Sequence, residues 1–141
     1  MSLQYPGELI RGIPNSDFID NEGRVSALLF QFYDVDRLDG FSEASINWYD
    51  NEHALELTLD QKKQNDNDTY QFKVGAAIIS RVRLDAARQS PNAKGAISYE
   101  RRVIEGNPYH GNILLKSGLT KQIRTMLAGN IAMCTERIIY R

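Results

Sequence analysis

Two histidines and a few arginines are the residues of this 141-residue chain that invite chemistry. His110 lies in Gly106-Asn107-Pro108-Tyr109-His110-Gly111-Asn112-Ile113-Leu114-Leu115, between a turn signal and an apolar run. On an alternating strand it shares a face with Asn112, Leu114 and Lys116, while Tyr109, Ile113 and Leu115 point to the core. An imidazole there can act as a base near neutral pH. It would then need a nucleophile and an orienting partner, which a sequence does not display. Asn107-Pro108 also explains itself without catalysis, because Asn starts turns and Pro fixes φ. The expectation is a histidine that holds a hairpin, with His110 the one catalytic candidate.

The arginines offer anion binding instead. Arg81 and Arg83 fall on one face of an expected strand, and Arg101 and Arg102 on opposite faces of another. If those strands are neighbours, a basic patch forms that suits phosphate, carboxylate or nucleic acid. Pairing with Asp85, Glu100 and Glu105 is the plainer expectation. Net charge is −1, from 17 basic and 18 acidic residues, so no global field attracts nucleic acid, and such a partner is disfavoured.

Metal and cofactor chemistry find little to work with. Cys134, His53 and His110 stand apart, with no pair at ligand spacing. Asp34 to Gly40 begins like a calcium loop but has Leu38 fifth, Asp39 sixth and Ser45 twelfth, so it reads as a solvated acidic turn. Cys134 ends an apolar helix stripe, the wrong end to stabilise a thiolate, and reads as packing. No glycine-rich phosphate loop, dinucleotide fingerprint or G-x-S-x-G elbow occurs, so neither metal nor cofactor is expected.

These residues must be held by short elements. Gly7 to Ile13 reads as a strand, Arg24 to Phe32 as a well-buried strand, and Ala44 to Tyr49 as one with Ala44, Ile46 and Trp48 inward. Trp48, Tyr49, Tyr33 and Phe41 suit a pocket or an interface, but Trp48 is better placed in the core. Asn51 to Lys63 is ambiguous between period two and helix; its Ala, Leu, Glu, Gln and Lys favour helix, capped by Asp50 or Asn51. Phe72 to Leu84 reads as the longest strand. Ala96 to Ile104 and Tyr109 to Lys116 should form an antiparallel hairpin with a loop of about four residues. A helix should open at Ser117 or Gly118 and run to about Cys134. Its stripe is Leu119, Ile123, Met126, Leu127 and Ile131. Gly129 in it either weakens the helix or admits another backbone. Glu136 to Tyr140 reads as a terminal strand.

Strands outnumber helices, and the connections are too short for most parallel crossovers. The expectation is one α+β domain over residues 1–141, a mainly antiparallel sheet carrying about two helices. With 42% hydrophobic and 25% charged residues, the composition is that of a globular chain able to bury a core. Met1 to Ile10 has neither a basic residue nor a signal-length apolar run, and no window is long enough to span a bilayer. With a single cysteine, the expected setting is cytoplasmic and soluble, without membrane contact.

The order of motifs resembles that of a family of small, uncharacterised bacterial proteins. The likeness runs from Leu9 to Ala132 and rests on "RGIPNSDFIDNEGRVSALLF", "SINW" and "NPYHGNILL" followed by an apolar helix. The resemblance implies a domain boundary rather than an activity, and it points to Arg11, Gly23, Asn107 and His110 as residues to test. Three functions follow in order of expectation. The first is a non-catalytic module that binds another protein or itself, using exposed strand edges. The second is an enzyme or ligand-binding domain using His110, with Arg11 or Arg81/Arg83, on an anionic nucleotide or phosphate. The third is nucleic-acid binding through Arg81, Arg83, Arg101 and Arg102.

Overall fold

Strand alternation decides which elements meet, and among the described residues all strand pairing is antiparallel. A computed structural model describes residues 5–33 and 39–141. The main sheet is built from β1 (Glu8–Ile13), β2 (Phe41–Trp48), β5 (Gly75–Ser80), β6 (Ile97–Arg101), β7 (His110–Lys116) and β8 (Thr135–Tyr140). Its order is β6-β7-β2-β1-β5-β8. A small separate hairpin pairs β3 (Lys62–Lys63) with β4 (Asp66–Tyr70). The described residues form three α-helices, α1 (Glu52–Asp60), α2 (Arg81–Gln89) and α3 (Lys121–Ala132). The fold is therefore α+β around a mainly antiparallel sheet, with one helix more than expected. No described helix is long and apolar enough to cross a membrane.

Both faces of the sheet are covered. The larger core takes Leu9, Ile46, Trp48, Ala77, Ile79, Ile113 and Leu115 from one face, with Leu84 of α2 and Leu127 and Ile131 of α3. The smaller cluster lies on the opposite face, where Ile10, Ala76 and Ile78 meet Ala54 of α1. Burying both faces explains why β5 is apolar from Gly75 to Ile79 rather than alternating, since each of its six residues is buried. At β7 a glycine makes room for the core. A side chain at Gly111 would collide with Glu100 O and the Trp48 indole, whose Nε1 donates to Glu100 O at 3.0 Å.

Several elements differ from the sequence expectation. Phe72 to Leu84 is not one strand: it breaks at Ser80, whose Oγ caps α2 by accepting from Arg83 N at 3.2 Å. Arg81 and Arg83 are thus helical, because Leu84 and Ala87 give the segment after Ser80 one apolar helical face against the core. Arg24 to Phe32 is not a strand either. Ser26 caps a single 3₁₀ turn, Ala27–Leu29, which buries Leu29 and turns Leu28 out. The β6–β7 connection spans residues 102–109, with an inner bridge Ile104↔Asn107 closing a turn at Gly106, φ 79°. Tyr109 joins the smaller cluster rather than the main core, and its hydroxyl meets His53 Nδ1 at 3.0 Å.

Helix α3 starts at the Thr120 cap and ends at Ala132. Its inward face is Leu127, Ala128, Ile131 and Ala132, while Ile123 and Met126 stay substantially exposed. Asn51 caps α1 as expected, and Trp48 is fully buried. Most of the Asp34 to Gly40 loop lies outside the described residues.

Candidate functional site

Strand β1 pairs with β5 along all six residues but with β2 only at Leu9↔Trp48 and Ile10↔Asn47. Beyond Ile10 the two strands diverge, and the side chain of Arg11 enters the gap. Its Nε and Nη2 donate to Leu29 O at 3.2 and 2.9 Å, and its Nη1 donates to Ser45 O at 2.6 Å. Arg11 thus substitutes for the missing ladder at Ser45 and anchors the 3₁₀ turn. Loss of water around the guanidinium pushes its pKa down to about 10.

On the helix α1 side, this gap opens into a cleft of about 200 Å³. It is closed by Thr58 and Gln61 of α1 and its C-cap, by Phe72, and by the β6–β7 connection. Gly12 lets the Phe72 ring lie directly on β1, where any Cβ would enter the ring. His110 and Asn107 line the same cleft. Asn107 belongs to a chain of bonds that locks the wall: Asn107 Nδ2 donates to Asn47 Oδ1 at 2.8 Å, and Asn47 Nδ2 to Thr58 Oγ1 at 2.7 Å. Thr58 then donates to Ala54 O at 2.9 Å, and Asn107 Oδ1 accepts from Tyr109 N at 3.0 Å.

His110 is oriented from behind. Its Nδ1 lies 2.8 Å from Arg102 O, and a carbonyl only accepts, so Nδ1 carries the proton and Nε2 is an acceptor in the neutral ring. Next to it, Asn112 is fully buried; its Nδ2 donates to Glu100 Oε2 at 2.7 Å, and its Oδ1 has no described partner.

Of the sequence candidates, Arg11, Asn107 and His110 therefore converge, and Arg81 and Arg83 do not. Arg81 is engaged by Asp85 Oδ2 at 3.1 Å and by Pro6 O at 2.9 Å. Asp85 also receives Arg88 at 3.2 Å and the Tyr99 hydroxyl at 2.8 Å. Burial and that acidic partner raise the Tyr99 pKa. Arg101 pairs with Asp50, Nη2 to Oδ1 at 2.7 Å, rather than with the sequence neighbours expected, and its pKa is raised by that bond. Arg83 and Arg102 are exposed but sit on a helix and on the far connection. No four-arginine surface forms, because Arg81 and Arg83 leave the sheet where α2 begins.

Cys134 is buried, and burial pushes its thiol up to about 11, which suits a packing residue. Among the described residues, no three His, Cys, Asp or Glu side chains gather to hold a metal.

One feature gave no sequence signal. A groove of about 730 Å³ runs beside the edge strand β8 and is lined also by Asp20, by Gly23 to Ala27, and by Gly129, Ala132 and Met133. Only the strand order makes β8 an edge, so hydrophobic patterning could not reveal it. Comparison with protein-family models, with curated proteins and with solved structures finds no match.

Proposed function

We propose that the protein is a non-catalytic binding module that takes an extended strand of another protein onto β8. The observation that carries this reading is the difference between the two edges of the sheet. At β6, Arg88 Nε donates to Ile97 O at 3.2 Å, and the Arg88 guanidinium lies 4.5 Å from the Tyr99 ring centre. A foreign strand would have to displace both.

At β8 the edge is open over a short run. Arg141 N donates to Val74 O at 2.9 Å, and Ile139 and Arg137 stand opposite Ala76 and Ile78. In an antiparallel ladder the residues between these, Ile138 and Tyr140, direct their N–H and C=O groups away from β5. Tyr140 is 61% exposed, and both residues line the groove. The bulge opposite Ile78/Ile79, with Glu136 and Arg137, guards only the start of the strand. Strand addition gains affinity from main-chain bonds and selectivity from alternate side chains. A bacterial cytoplasmic setting is our assignment from the single cysteine and the motif resemblance.

Tyr140→Pro removes an outward N–H without breaking a bond to β5. The expected outcome is an unchanged far-UV circular dichroism spectrum and loss of a partner that the wild-type protein captures from host extract. In the wild-type complex, amide exchange at Ile138 and Tyr140 should slow. Equal capture by both proteins, or unchanged exchange at those two amides, refutes the reading. A doubled solution mass that Tyr140→Pro abolishes would identify the added strand as that of a second copy.

A further inference from the structure

The cleft at the β1–β2 divergence brings a guanidinium together with uncharged polar side chains. Its lining contains Arg11, Ser45, Gln61, Asn107 and His110 and, among the described residues, no aspartate or glutamate. The chain as a whole has more acidic than basic residues. The half-buried arginines Arg81, Arg88 and Arg101 meet acids: Arg81 and Arg88 at Asp85, Arg101 at Asp50. Arg11 meets only carbonyl oxygens among the described residues. Three of its five N–H groups are engaged, which leaves two donors and a whole positive charge. Charges removed from water are ordinarily paired, so an unpaired guanidinium in a cleft is a place where an anion is favoured.

The other polar groups fit the same occupant. Ser45 is exposed on β2, and its hydroxyl can donate. His110 is held by Arg102 O through Nδ1, so Nε2 is the nitrogen left for a ligand: it accepts from the O–H of a hydrogen phosphate or a carboxylic acid, and donates to an ionised oxygen only as the imidazolium. Asn107 and Asn47 are bonded to each other and give the wall a fixed shape. The volume sets the size: about 200 Å³ lies below the roughly 300–1,000 Å³ typical of drug-sized sites. That volume suits a single phosphate or carboxylate group better than a whole nucleotide, one of the ligands the sequence suggested.

We propose that this cleft binds a small oxyanion, a phosphate or carboxylate group, against Arg11, with Ser45 and His110 completing its contacts. The site is separate from the β8 edge and does not depend on strand addition there. A planar carboxylate and a tetrahedral phosphate each present a pair of oxygens that two N–H groups of a guanidinium can meet.

The test is a two-dimensional amide NMR titration of the full chain with inorganic phosphate, with succinate, and with sodium chloride at matched ionic strength. The expected result is saturable shifts at Gly12, Ser45, Asn107 and His110 with phosphate or succinate, and none with chloride. Saturation by phosphate alone assigns a phosphoryl ligand, and by succinate alone a carboxylate. Arg11→Met would strip Leu29 O and Ser45 O of their donors and risks the fold, so the decisive variants lie elsewhere. His110→Asn keeps a donor for Arg102 O and deletes the Nε2 end, and Ser45→Ala removes an exposed hydroxyl. The double variant should keep a folded spectrum and bind about tenfold more weakly, as expected for lost hydrogen bonds to a charged group. No saturable shift at these amides, equal shifts with chloride, or undiminished binding in the double variant would overturn the proposal.

Discussion

Arg11 holds two diverging strands together through carbonyl oxygens and, among the described residues, pairs with no carboxylate in doing so. Nothing in the local sequence separates it from the paired arginines, since its partners lie 18 and 34 residues away. His110 is different: alternation along β7 alone places it opposite Ile113 and Leu115, and both are buried. Its anchor on Arg102 O required the pairing of β6 with β7. Gly129 offers a test at the same scale. A Cβ there would sit 3.9 Å from Ala27 Cβ, an ordinary contact, so no close backbone approach demands the glycine. Gly129→Ala should therefore stabilise α3 by about 1 kcal/mol. Chemical denaturation measures this, and a loss of stability would show that the groove wall needs the glycine.

Elements, unlike single contacts, were partly legible. Helix α1 was distinguishable from a strand because its composition and the Asn51 cap outweighed the period-two leucines. Asn51 Oδ1 accepts from Ala54 N at 3.2 Å, and Ala54 is buried against Ile10 and Ile78. Asn51→Ala should cost about 1 kcal/mol of global stability, with little change at Asn51→Asp, which can cap equally. Equal losses in both variants, read by thermal melting, would assign the asparagine another role. The break at Ser80 was not legible. Val82 and Leu84 continue the period of Ala76 and Ile78, so alternation runs on through the point where the backbone turns helical. Only the contact of Leu84 with the main core distinguishes the two states. Arg24 to Phe32 misled for a related reason: apolar residues can be buried from an irregular segment as well as from a strand.

Across the whole molecule, the two termini of the described fold are joined by charge. Arg137 on β8 contacts Glu8 on β1, Nη1 to Oε2 at 2.6 Å. The bond and the charge of Arg137 hold the Glu8 carboxyl below its ordinary 4.5. A carboxyl depressed in the folded state contributes stability above its unfolded pKa and loses it as pH falls through the folded value. Asp20, bonded to the backbone at Arg24, and Asp66, bonded to Thr69, are lowered in the same direction. The melting temperature should therefore fall as pH drops from about 5 to about 3, and Glu8→Gln should make that fall shallower. An identical slope in wild type and Glu8→Gln would remove the ion pair from the account.

By itself the sequence determined the class of the fold, because turn signals and period-two runs are local and strands pair within short connections. It also determined that Trp48 and Cys134 are packing residues and that His110 stands at the start of a strand. Tertiary structure alone decided that β8 is an edge and β6 a guarded one, that β1 leaves β2 after Ile10, and that Arg11, Asn107 and His110 share a cleft while Arg81 and Arg83 do not. The physical reason is range: alternation and capping act over a few residues, whereas an edge, a gap between strands and a missing counter-charge are properties of which distant segments become neighbours.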